Sequence, residues 1–165
     1  MLPRETLAEE WDEAAMPSYP PERYGSVRVG GVEPARADAI AQALMAAENP
    51  VAFAAYLGRK PQAVAVLDRL ARATGIRVAE FNAIDLNIPQ DSPCFAGSDP
   101  LPLLEHADLG LLLDSDVPFV PQSGKRANAM KWIQIDIDPL KADFPMWGFP
   151  TDMTRPARAD GAAIH

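Results

Sequence analysis

Four aspartates stand where two apolar runs of the chain end. The run "DLGLLLDSD" ends with Asp114 and Asp116, and the run "WIQIDID" ends with Asp136 and Asp138. Paired carboxylates can carry out acid–base chemistry, and they can also accept hydrogen bonds from ribose hydroxyls or from the amine of an adenine. Because no nucleophile or metal ligand accompanies them in the sequence, we expect a binding or structural role and assign no catalytic residue.

The second pair of aspartates has two interpretations that the sequence leaves open. Asp138 directly precedes Pro139, where an aspartate suits the cap of a helical turn that begins at the proline. Asp136 is expected on the buried side of its strand, and a buried carboxylate requires a partner, which either the protein or a ligand supplies. Asp136 is therefore the better candidate of the two for contact with an adenosine group.

A candidate phosphate-binding turn follows the first apolar run, in "AAYLGRKPQ" (residues 54–62). A dinucleotide-binding turn has the pattern Gly-x-Gly-x-x-Gly, because the backbone must approach a pyrophosphate closely. Only Gly58 is present here, although Arg59 and Lys60 offer positive charge. The sequence therefore favours a turn that packs the sheet, and Arg59 joins Asp114, Asp136 and Asp138 as a candidate for the nucleotide part of a cofactor.

The elements that would position these residues alternate between helix and strand. Helices are predicted to begin at Pro34 and Pro61, the second ending at a left-handed Gly75, with a short helix over 101–107. Strands are predicted over 51–57, 76–81, 108–116, 132–138 and 154–160, and one more is expected in the loop-rich residues 82–100. This alternation predicts a parallel, doubly wound α/β sheet, whose ligands bind beyond the carboxyl ends of the strands.

Composition excludes several classes of partner. The chain has 165 residues and a net charge of -8, which disfavours binding to nucleic acids or to anionic membranes. One cysteine and two histidines leave no internal disulfide and make a zinc site improbable. There is no apolar run of membrane-spanning length and no signal sequence, so a cytoplasmic protein without a membrane anchor is expected.

Five blocks of sequence carry a resemblance to a known family. They are "NPVAFAAYL", "LDRLARATGIRV", "SPCFAG", "LLEHADLGLLLDSDVPFVP" and "KWIQIDIDPLKADFP". In this order they resemble the middle (central) domain of thiamine-diphosphate-dependent enzymes of the acetolactate-synthase-like group. The opening "LPRETLAEE" is similar to the end of that family's pyrimidine-binding domain. The resemblance implies a linker arm from a pyrimidine-binding domain over residues 1–33 and a middle domain over residues 34–165.

The resemblance also implies a fold and a division of labour. The fold would be a Rossmann-like three-layer sandwich with a six-stranded parallel sheet, the NAD/FAD-binding type shared with deoxyhypusine synthase. In the family, the activating glutamate lies in the preceding domain and the metal-binding Gly-Asp-Gly motif in the following one. Thiamine diphosphate and magnesium would thus be bound outside this chain, by flanking domains of the same polypeptide. The parent, a homodimer or homotetramer, would decarboxylate or ligate 2-keto acids.

A nucleotide site is the one ligand site that the resemblance could place in this domain. Some family members hold the ADP part of FAD or coenzyme A there, near residues that match Asp136 and Asp138. The glycine-rich turn is replaced by "AAYLGRKP", and "DSDVPFVP" lacks the family's arginine, so weak or absent FAD binding is expected. The alternative hypothesis is a free-standing Rossmann-like nucleotide-binding enzyme, such as an NAD-dependent deacylase.

Overall fold

A five-stranded parallel sheet is the centre of the fold. The computed structural model describes residues 8–10, 12, 14, 30–116, 118–119 and 130–138, together with the backbone of 153–156. The strands are β1 (Pro50–Ala54), β2 (Arg77–Ala79), β3 (Leu109–Leu113), β4 (Lys131–Asp136) and β5 (Met153–Pro156). Their order is β2-β1-β3-β4-β5, and every neighbouring pair is parallel. The direction of winding reverses between β1 and β3, where open α/β sheets bind their ligands.

Helices lie on both faces of this sheet, as predicted. They are α1 (Pro34–Ala46), a 3₁₀ helix (Leu57–Arg59), α2 (Pro61–Thr74) and a single turn, α3 (Leu101–Leu104). Both long helices begin with a proline, whose fixed backbone angle suits the first helical turn. The helix α2 ends at Gly75 with φ of 72°, and the amide of Gly75 donates to the carbonyl of Ala71 at 2.8 Å. This is the left-handed cap that the sequence predicts.

Two apolar cores give the domain its three layers. On one face, Ile40 and Leu44 of α1 and Leu67 of α2 pack on the aliphatic side chains of the strands. On the other face, Trp132 packs with Phe53 and Phe119, at ring-centroid distances of 6.0 and 5.7 Å. Gly110 is opposite Trp132 in the sheet, and a Cβ atom at Gly110 would lie 2.3 Å from the indole ring. The glycine therefore makes the room that the tryptophan occupies.

A short segment covers the outer edge of β2. The amide of Val78 donates to the carbonyl of Cys94 at 2.9 Å, and the amide of Ala96 donates to the carbonyl of Val78 at 2.8 Å. Val78 and Phe95 thus form an isolated parallel bridge. The short strand expected in 82–100 therefore lies at residues 94–97, reduced to one bridge, and the described residues contain five strands and this bridge.

Several strands end earlier than predicted. The strand predicted over 51–57 stops at Ala54, because buried Leu57 belongs to the 3₁₀ helix and continues the apolar run without continuing the strand. The strand predicted over 76–81 covers only Arg77–Ala79, and Asn82 has φ of 51° in the turn that follows. Of the strand predicted over 154–160, residues 153–156 are extended and the remainder lies outside the described residues.

Asp108 ties the end of α1 to the start of β3. Its carboxylate accepts the backbone amides of Glu48 at 2.8 Å and Asn49 at 3.0 Å. Desolvation raises the pKa of Asp108, but these amides, with those of Asp108 and Leu109, outweigh it and lower that pKa below its ordinary value. This contact fixes the chain as it enters β1. Within the described residues, no helix combines the length and apolar character needed to cross a membrane.

Candidate functional site

The carboxyl ends of β1, β3 and β4 meet at one edge of the sheet and are tied together there. The amide of Tyr56, just after β1, donates to the carbonyl of Asp114 at 3.1 Å, and the amide of Asp114 donates to the carbonyl of Ile135 at 3.0 Å. Asp114 has φ of 44°, in the left-handed region that aspartate tolerates better than most residues. The chain therefore turns sharply at Asp114, and its carboxylate stays at this edge.

Two of the predicted site residues, Arg59 and Asp114, contact each other. Nη2 of Arg59 lies 3.3 Å from Oδ2 of Asp114, whose side chain is 3% exposed. Nε of Arg59 donates to the carbonyl of Tyr56 at 2.9 Å, and its guanidinium carbon lies 5.3 Å from the centre of the Tyr56 ring. The guanidinium is therefore held along the sheet edge by a carboxylate, a carbonyl and an aromatic face.

Tyr56 makes a second contact between β1 and β3. Its hydroxyl donates to Oδ2 of Asp116 at 2.7 Å. Both aspartates that follow β3 are thus bonded to groups in the turn after β1: Asp114 to Arg59 and Asp116 to Tyr56. The crevice at the point where the winding reverses is bridged by the protein's own side chains.

The aspartates at the end of β4 lie at the same edge, and a partner of Asp136 comes from the protein. Asp136 is 5% exposed, and its Oδ1 accepts the backbone amide of Asp138 at 2.8 Å. This is a local aspartate turn, in which the side chain satisfies the backbone two residues further on. The helical turn that Asp138 is predicted to cap begins at Pro139 and lies outside the described residues.

Asn87 is the central polar residue of this edge, and sequence reasoning missed it. It is fully buried, and its Oδ1 accepts the amide of Gly58 at 3.0 Å. Its Nδ2 donates to the carbonyls of Asp85 at 2.7 Å and Ala55 at 3.3 Å. Nothing in the sequence pairs Asn87 with a turn 29 residues away. The isolated Gly58 was the one signal that another group approaches the turn closely.

Two groups at this edge that a nucleotide phosphate could use are already bonded within the protein. A phosphate at the start of α2 would require free amides and a free cation. The amide of Gly58 already donates to Asn87, and Arg59 already pairs with Asp114. Among the described residues, no group of three or more histidine, cysteine, aspartate or glutamate side chains could hold a metal ion. The contacts observed here join β1 to β3 through the protein's own side chains.

An apolar cavity of about 280 Å³ lies between α1 and α2, on the face of the sheet that these helices cover. Its described lining is aliphatic and includes Ile40, Leu44, Leu67 and Leu113, with Thr74 as a polar member. Such a lining can bury apolar groups, but it supplies neither a nucleophile nor an acid or base. The sheet edge therefore remains the candidate site.

Comparison with known proteins identifies the relatives of this domain. The family described as "Thiamine pyrophosphate enzyme, central domain" matches residues 37–145, more than half of the chain. The fold is similar to that of a protein from Mycobacterium smegmatis described as thiamin diphosphate-dependent, with a TM-score of 0.63 and 20% sequence identity. It is also similar to benzoylformate decarboxylase from Polynucleobacter necessarius, with a TM-score of 0.63 and 17% identity.

Each of these solved structures is much longer than this chain. The similarity covers 84% of the present chain and 28% of each relative. No curated protein matches the sequence. None of these findings supports the alternative of a free-standing NAD-dependent deacylase. The parallel α/β sheet and the family match together establish that the chain belongs to the thiamine-diphosphate-dependent enzyme family, as its middle (central) domain.

Proposed function

We propose that this chain is the non-catalytic middle domain of a larger, acetolactate-synthase-like enzyme that requires thiamine diphosphate and magnesium. One observation carries the proposal: side chains at the carboxyl edge of the sheet bond to one another. At the place where such folds bind ligands, Arg59 pairs with Asp114 and Tyr56 bonds to Asp116. These contacts make the edge a stable support, and they leave the reaction to other domains.

The rest of the enzyme follows from the family. We assign residues 1–33 to a linker from a pyrimidine-binding domain and residues 34–165 to the middle domain; the start of α1 at Pro34 agrees with this boundary. Thiamine diphosphate and magnesium would be held by flanking domains of the same polypeptide, in a homodimer or homotetramer. The parent would decarboxylate 2-keto acids or ligate them to a second carbonyl compound, and its cytoplasmic location stays a prediction from sequence.

The four candidate residues receive structural roles in this proposal. Arg59 and Asp114 bridge β1 to β3, and Asp136 orders the backbone after β4. Asp138 remains the proposed cap of the following turn. Because the groups suited to a phosphate are already bonded within the protein, FAD or ADP would bind weakly or not at all.

Two measurements test the proposed function. The chain, incubated with pyruvate, thiamine diphosphate and magnesium, is expected to release no carbon dioxide, whereas the protein encoded by the whole reading frame releases it. Carbon dioxide from the 165-residue chain alone would contradict a non-catalytic role. In parallel, a thermal-shift titration with NAD addresses the alternative: saturable stabilisation by NAD, with none by FAD, ADP or coenzyme A, would favour a deacylase-like enzyme.

A further inference from the structure

We infer that residues 84–88 form an internal plug that occupies the phosphate position of the nucleotide crevice, and that Asn87 is the residue that keeps nucleotides out. The inference deepens the proposed function, since it explains how a domain with this fold acts without a nucleotide. It depends on contacts between the turn after β1 and the loop after β2, which are independent of any reaction in the parent enzyme.

The side chain of Asn87 stands in for a phosphate oxygen. In doubly wound folds, a phosphate binds to free backbone amides between the first strand and the following helix. Gly58 lies in that connection, and its amide donates to Oδ1 of Asn87 at 3.0 Å. A phosphate could use this amide only after the asparagine had left, and the fully buried asparagine would then lose its own partners.

The backbone of the plug excludes a phosphate sterically as well. A Cβ atom built on Gly58 would lie 2.0 Å from the carbonyl oxygen of Leu86. The carbonyl therefore packs on the face of the glycine where a ligand would approach. Its negative end would also repel a phosphate, so the space and the local dipole both oppose binding.

The surrounding charges act in the same direction. The guanidinium of Arg59 lies 3.3 Å from Asp114, and the hydroxyl of Tyr56 donates to Asp116 at 2.7 Å. An entering phosphate would have to compete with a buried carboxylate for Arg59, and it would bring negative charge close to that carboxylate. Arg59 is thus committed to the protein's own anion.

The plug is held by hydrogen bonds and, at its last residue, by the fully buried side chain of Ile88. The amides of Ile84 and Asp85 approach the carbonyl of Ala55 at 3.3 and 3.4 Å. Glu80 accepts the backbone amides of Asn87 and Ile88. By contrast, the side chains of Ile84 and Leu86 are 77% and 53% exposed. Because those side chains contribute little packing, removal of the Asn87 amide is expected to loosen the part of the plug that precedes Ile88.

The test measures ADP and inorganic pyrophosphate binding to the full chain by calorimetry. The natural chain should show no saturable binding of either probe up to millimolar concentration. Asn87→Ala should bind ADP with a dissociation constant at least ten-fold below the lower limit that the natural chain sets. Its Gly58 amide should also exchange its hydrogen faster than in the natural chain. Leu86→Ala is the matched control, because it changes the same loop but keeps the backbone carbonyl and Asn87; it should behave like the natural chain.

Three results would overturn the inference. Sub-millimolar ADP binding by the natural chain, with a shift of the Gly58 amide resonance, would show that no plug closes the crevice. A folded Asn87→Ala chain with a protected Gly58 amide and no gain in binding would remove Asn87 from its role. If Asn87→Ala does not fold, an unprotected Gly58 amide in the natural chain would equally exclude the plug. None of these results bears on carbon dioxide release, so the proposed function is tested separately.

Discussion

Gln134 lies in the middle of β4 with 1% of its surface exposed, and within the described residues neither polar atom of its amide has a hydrogen-bond partner. It is paired in the sheet with Leu112, on the face that also carries Trp132. A buried polar group without a partner loses its bonds to water and gains nothing in return. At the scale of single residues, Gln134 is thus a polar side chain in largely apolar surroundings.

Gln134→Leu is therefore expected to raise the free energy of unfolding by about 1 kcal/mol, because it removes the cost of an unsatisfied amide at nearly constant volume. Urea unfolding followed by circular dichroism measures the change. Gln42→Leu, at an exposed position of α1, is the control and should leave stability within about 0.5 kcal/mol. A loss of more than about 1 kcal/mol in Gln134→Leu would mean that other parts of the chain bond the amide.

Single residues of the candidate site were only partly predictable. Arg59 and the four aspartates could be placed at the carboxyl edge, because parallel strands must end there together. Their partners could not be predicted, since the contact between Arg59 and Asp114 spans 55 residues. The role of Asn87 could not be predicted for the same reason. No sequence pattern around a loop asparagine indicates which distant amide its side chain will contact.

At the scale of secondary-structure elements, Asp108 joins α1 to β3 through two backbone amides. The pKa of Asp108 is lower in the folded chain than its ordinary value of about 3.9, so the contact stabilises the fold above that pH. The contribution is lost as the pH falls through the folded-state pKa, because the protonated carboxyl is a weaker acceptor. The entry of the chain into β1 therefore weakens in acid.

Asp108→Asn is expected to lower the free energy of unfolding by about 1 kcal/mol at pH 7, since solvent screens this exposed group. The difference from the natural chain should shrink between about pH 4 and pH 2, which urea titrations at several pH values will show. Asp68 also has a lowered pKa, through its hydrogen bonds to Ser92 and Arg72. Because Asp68 is present in both chains, its contribution cancels in the difference between their unfolding free energies. Asp38→Asn on α1 is the control; an unchanged difference down to pH 2 would contradict the prediction.

The types and order of the elements could be predicted, but not their ends. The prolines at the starts of α1 and α2 predicted where these helices begin, and the glycine after α2 predicted where α2 ends. The apolar run "VAFAAYL" predicted β1 but not its last residue, because Leu57 is as buried in a 3₁₀ helix as it would be in a strand. Hydrophobicity reports burial, and here burial continues where the hydrogen bonding of the strand stops.

At the scale of the whole molecule, the outer edge of β2 is covered by residues 94–97. An uncovered edge strand offers unpaired backbone groups to a second chain and promotes association. Ala96 provides one of the two hydrogen bonds that join this segment to Val78. Covering the edge with a segment too short to form a full strand keeps the sheet from extending further.

Ala96→Pro removes the donor to the carbonyl of Val78 and should cost about 1 kcal/mol of stability. It should also increase self-association at high protein concentration, because the edge of β2 becomes accessible; size-exclusion chromatography with light scattering measures the mass. Ser98→Pro lies outside the bridge and serves as the control. An Ala96→Pro chain with the mass and stability of the natural chain would show that this segment does not protect the edge.

Gly58 has a consequence for how such domains change over time. The same residue suits a turn that wraps a phosphate and a turn that receives the carbonyl of Leu86, so its presence does not reveal which of the two it serves. An ancestral ligand site and an internal packing contact can thus share one glycine. Full recovery of a nucleotide site here would need changes at Asn87, Leu86 and Arg59 together, so Asn87→Ala alone is expected to regain only part of the binding.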